Sequence, residues 1–389
     1  MKTRKLLFYL WVAIGVYLYI ADSTLAQQPK TIPTTQLPSV VGISTMAIGG
    51  VSHSLAASLG DVFRTKTGLK TRVIPIDSEI GRVNLLRTGN VHFSITAGNA
   101  IFNLQYGIQD FSNLEWGPQP IQLAWTGPSC MSPVTTKAHK DINTVADIRG
   151  KRVPILDRKS GIIIAQSFLA FGGLTWEDVV KVPVPGYTGM FKAILAGAVD
   201  VVPYANPVTA LLYELEASPG GIKWLPLYHK DTEGWKRLRK FSAEGIPGII
   251  DIGPGLGGKP LEGFMHALAF TVYEWQNPDL VYMLTKVIAE NLASLHGTIE
   301  TWKTYTQDIA LTVGFPHVYH PGAIRYFREK GLWTSKHEKW NQEQIEIQKK
   351  VKNEWEAIVD QALREKWKPE KLTEQWHERQ KAITGYQVP

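Results

Sequence analysis

Twice in this 389-residue chain a short β-branched run ends in a turn that opens into a helical segment. Val40 to Ile43 leads into Ser44-Thr45-Met46-Ala47-Ile48-Gly49-Gly50, and Arg152 to Ile155 leads into Asp157-Arg158-Lys159-Ser160-Gly161. A strand followed by a helix and another strand makes a crossover connection, which places the strands parallel and covers both faces of their sheet. Each turn also aims free N–H groups and the positive end of a helix at one spot, an arrangement suited to an anionic or polar ligand. Two such turns, in different halves of the chain, point to two similar lobes facing one cleft.

The alternation around them supports this. In the first half, expected strands Val40 to Ser44, Thr71 to Ile76 and His92 to Thr96 alternate with helices Ser52 to Thr67, Gly81 to Thr88 and Asn99 to Tyr106. In the second half, strands Lys151 to Ile155, Val179 to Val184 and Val199 to Tyr204 alternate with helices Gly161 to Phe171, Thr188 to Leu195 and Pro207 to Ala217. Helix, Gly stop and strand recur at matching places, in Leu85 to Ile95 around Gly89 and in Ala193 to Val202 around Gly197. Ile121 to Trp125, followed by a polar stretch from Pro128 to Asn143, and Ala267 to Tyr273 read as two strands crossing between lobes, and so as a hinge. A long helix from Pro278 to Leu295 follows the second. The expected organisation is a signal at 1–26, a flexible leader at 27–38, lobe 1 at 39–130 and 268–330, lobe 2 at 131–267, and a helical extension at 331–389.

The signal rests on basic Lys2, Arg4 and Lys5, the apolar run from Leu6 to Ala21, and Thr24-Leu25-Ala26, with cleavage expected after Ala26 or an uncleaved anchor as the alternative. Export to the periplasm is the expectation. Cys130 is the one cysteine, so no intrachain disulfide forms and the core alone must hold the fold. The net charge is +7, and removing Lys2, Arg4, Lys5 and Asp22 with the signal lowers it by two, to +5. With the basic residues spread out, that excess falls short of a nucleic-acid footprint. In the extension, Ile347, Val351, Trp355, Ile358 and Ala362 recur at three- and four-residue steps, one apolar helix face that breaks at Pro369.

Catalytic patterns are absent from the sequence. Gly253-Pro254-Gly255-Leu256-Gly257-Gly258-Lys259 has phosphate-loop spacing, but Pro260 stands where a magnesium-holding Ser or Thr is needed. Gly50-Val51-Ser52-His53-Ser54 lacks the final Gly of a nucleophile elbow, and the ten histidines show no zinc spacing. The expectation is a non-enzyme without cofactor or metal. Binding residues belong instead at the C-terminal ends of strands, where open α/β sheets place ligands. They are Ser44, Thr45, Met46, Gly49, Gly50 and His53; Ser78, Glu79 and Arg82; Thr96, Ala97 and Asn99; Lys159 and Ser160; Tyr187; and Tyr204 and Asn206. Arg82, Arg158 and Lys159 are the cations here, each able to clamp a carboxylate.

These residues resemble the TAXI family, extracytoplasmic solute-binding proteins of one class of TRAP transporters, from about Val40 to Glu329. The first turn is similar to the family's Gly-Thr-Gly-Ser-Thr-Gly-Gly-Thr-Tyr-Tyr, with Thr45, Gly49 and Gly50 matching. Leu86 before Gly89, Gly150-Lys151-Arg152-Val153 with Ser160-Gly161, Gly245-Ile246-Pro247, and His320-Pro321-Gly322-Ala323-Ile324-Arg325-Tyr326-Phe327-Arg328-Glu329 match too. The family's Tyr pair is replaced by Ser52 and His53. Its Gly-Gly-Ser and Glu-Asn are replaced by Asp77-Ser78-Glu79 and Gly81-Arg82, and its Asp and Gln by His92 and Ala97. The resemblance implies an α/β, two-lobed type II periplasmic binding-protein fold with hinge strands, plus the helical C-terminal extension. It also implies capture of a small organic anion, a carboxylate or amino-acid-like solute, for a TRAP membrane subunit. A ligand-presenting sensor subunit and an exported hydrolase using Ser52 and His53 are the other readings.

Overall fold

The computed structural model describes residues 37–46, 48, 50–76, 78–157, 159–311 and 317–386. The expected signal, most of the leader, and Ala47, Gly49, Asp77 and Arg158 of the binding turns lie outside the described residues.

β1 (Val40–Thr45), α1 (Val51–Thr67), β2 (Lys70–Pro75), α2 (Glu79–Arg87), β3 (Phe93–Ala97) and α3 (Gly98–Tyr106) follow one another as the alternation requires. β1 lies between β2 and β3 and runs parallel to both. Leu55, Leu59 and Phe63 recur every fourth residue on α1, and all three are sealed against Val41, Ile43 and Phe93 of the sheet. Each such side chain contributes about 1.5–3 kcal/mol by leaving water.

β4 (Ile121–Thr136) then leaves this lobe. β5 (Arg152–Leu156), α4 (Lys159–Phe171), β6 (Val180–Val184), α5 (Gly186–Leu195), β7 (Val201–Ala205), α6 (Ala210–Ala217), β8 (Ile222–Trp224), α7 (Thr232–Arg239) and β9 (Ile246–Ile250) build the second lobe before β10 (Leu261–Tyr273) returns. β5 pairs in parallel with β6, and the Asp200 N–H just before β7 donates to Arg152 O at 2.9 Å. The order β6-β5-β7-β4 in this lobe therefore repeats β2-β1-β3-β10 in the other, with the crossing strands exchanging roles. A second core, centred on Phe168, Leu169, Phe191, Val201 and Val202, is separate from the first.

Two expectations are corrected. The crossing strand expected at Ile121 to Trp125 does not end before the polar stretch: β4 runs on through Pro128 and Pro133 to Thr136. Pro128 still pairs opposite Ala267, and Pro133 falls at a register shift between Ser132 and Val134, the irregularity that admits a residue with no N–H to give. The long helix expected to Leu295 is broken: α8 (Pro278–Glu290) stops at Asn291, and the short α9 (Leu292–His296) restarts beyond it. Asn291 leaves the helical conformation at φ −126°, and its side-chain amide donates back to Val287 O at 2.8 Å.

α10 (Gln307–Ala310), α11 (Pro321–Glu329), α12 (Ser335–Arg364) and α13 (Pro369–Thr384) close the chain. Val351, Ile358 and Ala362 of α12 are buried, with Ile347 and Trp355 half-buried beside them, against Phe102, Tyr106 and Ile108 of lobe 1 and Leu372, Trp376 and Tyr386 beyond. Trp376 Nε1 donates to Gly107 O at 2.8 Å, and Thr373 Oγ1 to Ser112 O at 2.8 Å. The extension thus packs back on lobe 1.

Candidate functional site

The two lobes meet where β4 and β10 cross. Ser129 and His266 face each other in the ladder there. Gly98, the first residue of α3, rests so close to β10 that a Cβ would lie 3.1 Å from Ala267 N, and Asn206 Nδ2 donates to Ser129 Oγ at 3.2 Å. The start of α3 and the end of β7 therefore reach the hinge from opposite lobes.

The helix starts around this point differ in how they satisfy their own N–H groups. α2 is self-contained, since Ser78 Oγ accepts from Gly81 N–H. α1, α3 and α5 begin at Gly50, Ala97 and Pro185 without a side-chain cap. Uncapped first-turn N–H groups are the donors an anion takes. Asn99 in the first turn of α3 and Ser160 in the first turn of α4 line one narrow cavity between the lobes, with room for about one water molecule.

Several expected binding residues serve their own lobe. Ser44 Oγ donates to Arg82 O, and the buried Arg82 donates from Nη1 to Ile76 O at 2.8 Å. Thr96 Oγ1 meets Thr271 Oγ1 at 2.8 Å inside the sheet. Tyr204 is buried in the second core, 5.8 Å from the Tyr187 ring. Tyr187 OH accepts from Asn206 N–H at 3.1 Å, which fixes the end of β7. Thr45 is buried and turns its hydroxyl to Met46 O. Met46 N–H in turn donates to Ser52 Oγ at 3.0 Å. Ser52 is thus a buried acceptor, and His53, one residue along a helix, points about 100° away from it, so the two form no nucleophile and base pair. His53, Ala97, Glu79 and Gly50 are half-buried, while Ser78 and Lys159 are exposed. Met46 stands half-buried at the end of β1. His92 accepts from Gly42 N–H at 2.9 Å and is held below the usual imidazole range by burial, a neutral structural acceptor.

The cavity also includes residues that the strand-end rule does not select. Asn103 and Gln109 come from lobe 1, Ile163, Ile164, Phe241, Ser242 and Glu244 from lobe 2, and Tyr386 from the end of the extension. Glu244 is 3% exposed, and burial pushes its carboxyl up to about 7. The sequence carried one signal for it, an acidic residue directly before Gly245-Ile246-Pro247. Gly245 lies on the Phe264 ring, where a Cβ would sit 2.0 Å from a ring carbon, and this close approach to β10 sets the position of Glu244. Among the described residues no group of three or more His, Cys, Asp or Glu is placed to hold a metal, and no helix is long and apolar enough to cross a membrane.

A wider groove lies on lobe 1 between the C-terminal end of α1 and α8. It is about 25 Å, the length of a 17-residue helix, from the start of α1. Arg325 pairs with Asp279 at 2.8 Å and Glu290 with Lys330 at 2.9 Å there, while Lys66 and Lys286 also line it, Lys286 lying over the Tyr282 ring.

Two α/β lobes with repeated strand order, joined by two crossing strands, are the architecture of the type II periplasmic binding-protein fold. The chain belongs to the NMT1-like family, whose model matches residues 43–331. Among solved structures, a protein from Bordetella bronchiseptica RB50 is similar at 14% identity and a TM-score of 0.46, over 76% of this chain and 98% of that one. An ancestral arginine-binding protein bound to arginine is similar at 14% identity and a TM-score of 0.40, over 69% of this chain and 99% of that one. A periplasmic sulfonate-binding protein from Methylobacillus flagellatus KT is similar at 18% identity and a TM-score of 0.41, over 75% of this chain and 87% of that one.

Proposed function

We propose that this protein is an exported solute-binding subunit that closes its lobes on a small organic anion, a carboxylate or amino-acid-like solute, and hands it to a membrane transporter of the TRAP type. The observation that carries this reading is the meeting of Asn99 and Ser160, from the first turns of α3 and α4, across one interlobe cavity beside a two-strand hinge. Donors on both lobes let a single anion bridge them, and closure removes water that would otherwise weaken each contact. Micromolar capture needs only about 8 kcal/mol in total. The TRAP assignment follows the resemblance over Val40 to Glu329, with the permease as partner and the periplasm as the place of work.

The test is thermal-shift screening of the purified protein against organic acids and amino acids, with small-angle scattering on every hit. A rise in melting temperature with a fall in radius of gyration is the expected result. If no small solute shifted the melting temperature and scattering showed no closure, the reading would fail.

A further inference from the structure

The cavity between the lobes holds an acidic group that neither hinge nor core explains. Glu244 is almost fully buried, yet among the described residues its Oε1 has no hydrogen-bond partner, and the Ser242 hydroxyl and its own backbone N–H serve the carboxyl. Gln109 Oε1, which lines the same cavity from lobe 1, is a second buried oxygen without a partner among the described residues. Once Glu244 ionises, its carboxyl oxygens and the Gln109 amide oxygen are acceptors only, and the cavity then asks for a donor. No described cation acts on Glu244. A buried acceptor left unsatisfied is costly, and one kept at a ligand cleft marks where a ligand group belongs.

We propose that Glu244 and Gln109 form a subsite for the protonated amine of the bound solute, which makes that solute an amino acid or related amino-carboxylate rather than a simple carboxylate. This rests on the solute-binding reading and narrows it. The free space, about one water, fits an ammonium group, and an ammonium brings three donors and the compensating charge. A carboxylate in the same place would meet like charge. The solute's carboxylate sits instead at the uncapped start of α3. Asn99 and Asn103, both on the cavity wall, are four residues apart along that helix and span about 6 Å, within reach of an amine carried on the same small molecule. Among the described residues that line the cavity with Glu244, the one that titrates is Tyr386, from the extension, and burial raises its phenol beyond reach; Asn99, Asn103, Gln109 and Ser160 do not titrate. Amine binding therefore strengthens as pH rises through 7 and Glu244 ionises.

The experiment compares L-glutamate with glutarate, L-alanine with propionate and L-lysine with hexanoate by calorimetry, on the purified protein and on Glu244→Gln and Glu244→Asp. At least one amino compound should bind about tenfold or more tightly than its amine-free partner, the worth of one charge-assisted contact. Glu244→Gln should erase that preference and leave the carboxylate partner's affinity within about twofold, while Glu244→Asp keeps the preference. Tighter binding of the amine-free members, or a preference untouched by Glu244→Gln, would overturn the subsite and leave solute binding standing. No binding of any of the six compounds, together with a blank thermal-shift screen and no closure by scattering, overturns both. A sodium-dependent rise in melting temperature that Glu244→Gln removes, without amine preference, would give the cavity to a free cation and also overturn the proposal.

Discussion

Thr96 shares a 2.8 Å hydrogen bond with Thr271 across β3 and β10, and Thr271 Oγ1 also donates to Ser94 O at 2.9 Å. The hydroxyl that strand-end reasoning assigned to a ligand is thus spent on stitching the lobe to its hinge strand. Thr96→Val should cost about 1 kcal/mol in urea unfolding and leave solute affinity unchanged. Glu244 behaves in the opposite way. Its folded pKa of about 7 lies above the ordinary 4.5, so the folded protein holds the proton that the unfolded chain releases. The stability it permits is full below pH 4.5 and is lost as pH rises through 7, a penalty on the order of 3 kcal/mol. His266 and His320, held down at about 3 and 4 by burial, work the other way: their contribution is present above pH 6.5 and lost as pH falls toward those values. Chemical denaturation from pH 4 to 8 should therefore show Glu244→Gln gaining on the parent protein as pH rises, with the acid limb unchanged.

Elements were legible where local chemistry decides them. α2 ends at Gly89 with φ 73°, α5 ends at Gly197 with φ 68°, and each glycine is followed within a few residues by the third strand of its lobe. The left-handed stop is a local requirement, so the sequence displayed both copies of the unit. At neither glycine would a Cβ meet anything within 4 Å, so Gly→Ala there tests conformation alone. Each change should cost about 1 kcal/mol, with matching values in both lobes by urea denaturation. The continuation of β4 was hidden because its prolines signal a break, and only pairing with β10 and β7 overrides them. Asn99 and Ser160 were visible as first-turn residues after strands. Gln109, Glu244 and Tyr386 were not, because a short turn, a loop before β9 and the far end of the chain meet only through tertiary packing.

At the scale of the molecule, the extension does more than cover an apolar face. Its helices pack on lobe 1, but its last described residue spans both lobes. The Tyr386 ring lies edge-on to Phe102 of α3 at 4.9 Å, while its hydroxyl donates to Phe241 O of lobe 2 at 3.3 Å, beside the Glu244 cavity. Any opening about β4 and β10 that parts α3 from the Phe241 loop must break one of these contacts. The contact that breaks, the aromatic pair or the hydrogen bond, contributes about 0.5–1.5 kcal/mol to the closed arrangement. Removing it shifts a two-state lobe equilibrium by about 2-fold to 12-fold toward open. Tyr386→Ala should therefore enlarge the radius of gyration of the solute-free protein and weaken capture of any solute found by screening. Tyr386→Phe, which keeps the ring and loses the hydroxyl, should fall between the two. Because the anchoring contacts of Trp376 and Thr373 are untouched, the melting temperature of α12 and α13 on lobe 1 should move little. Scattering curves that superimpose for all three proteins would show that the tail reports closure without favouring it.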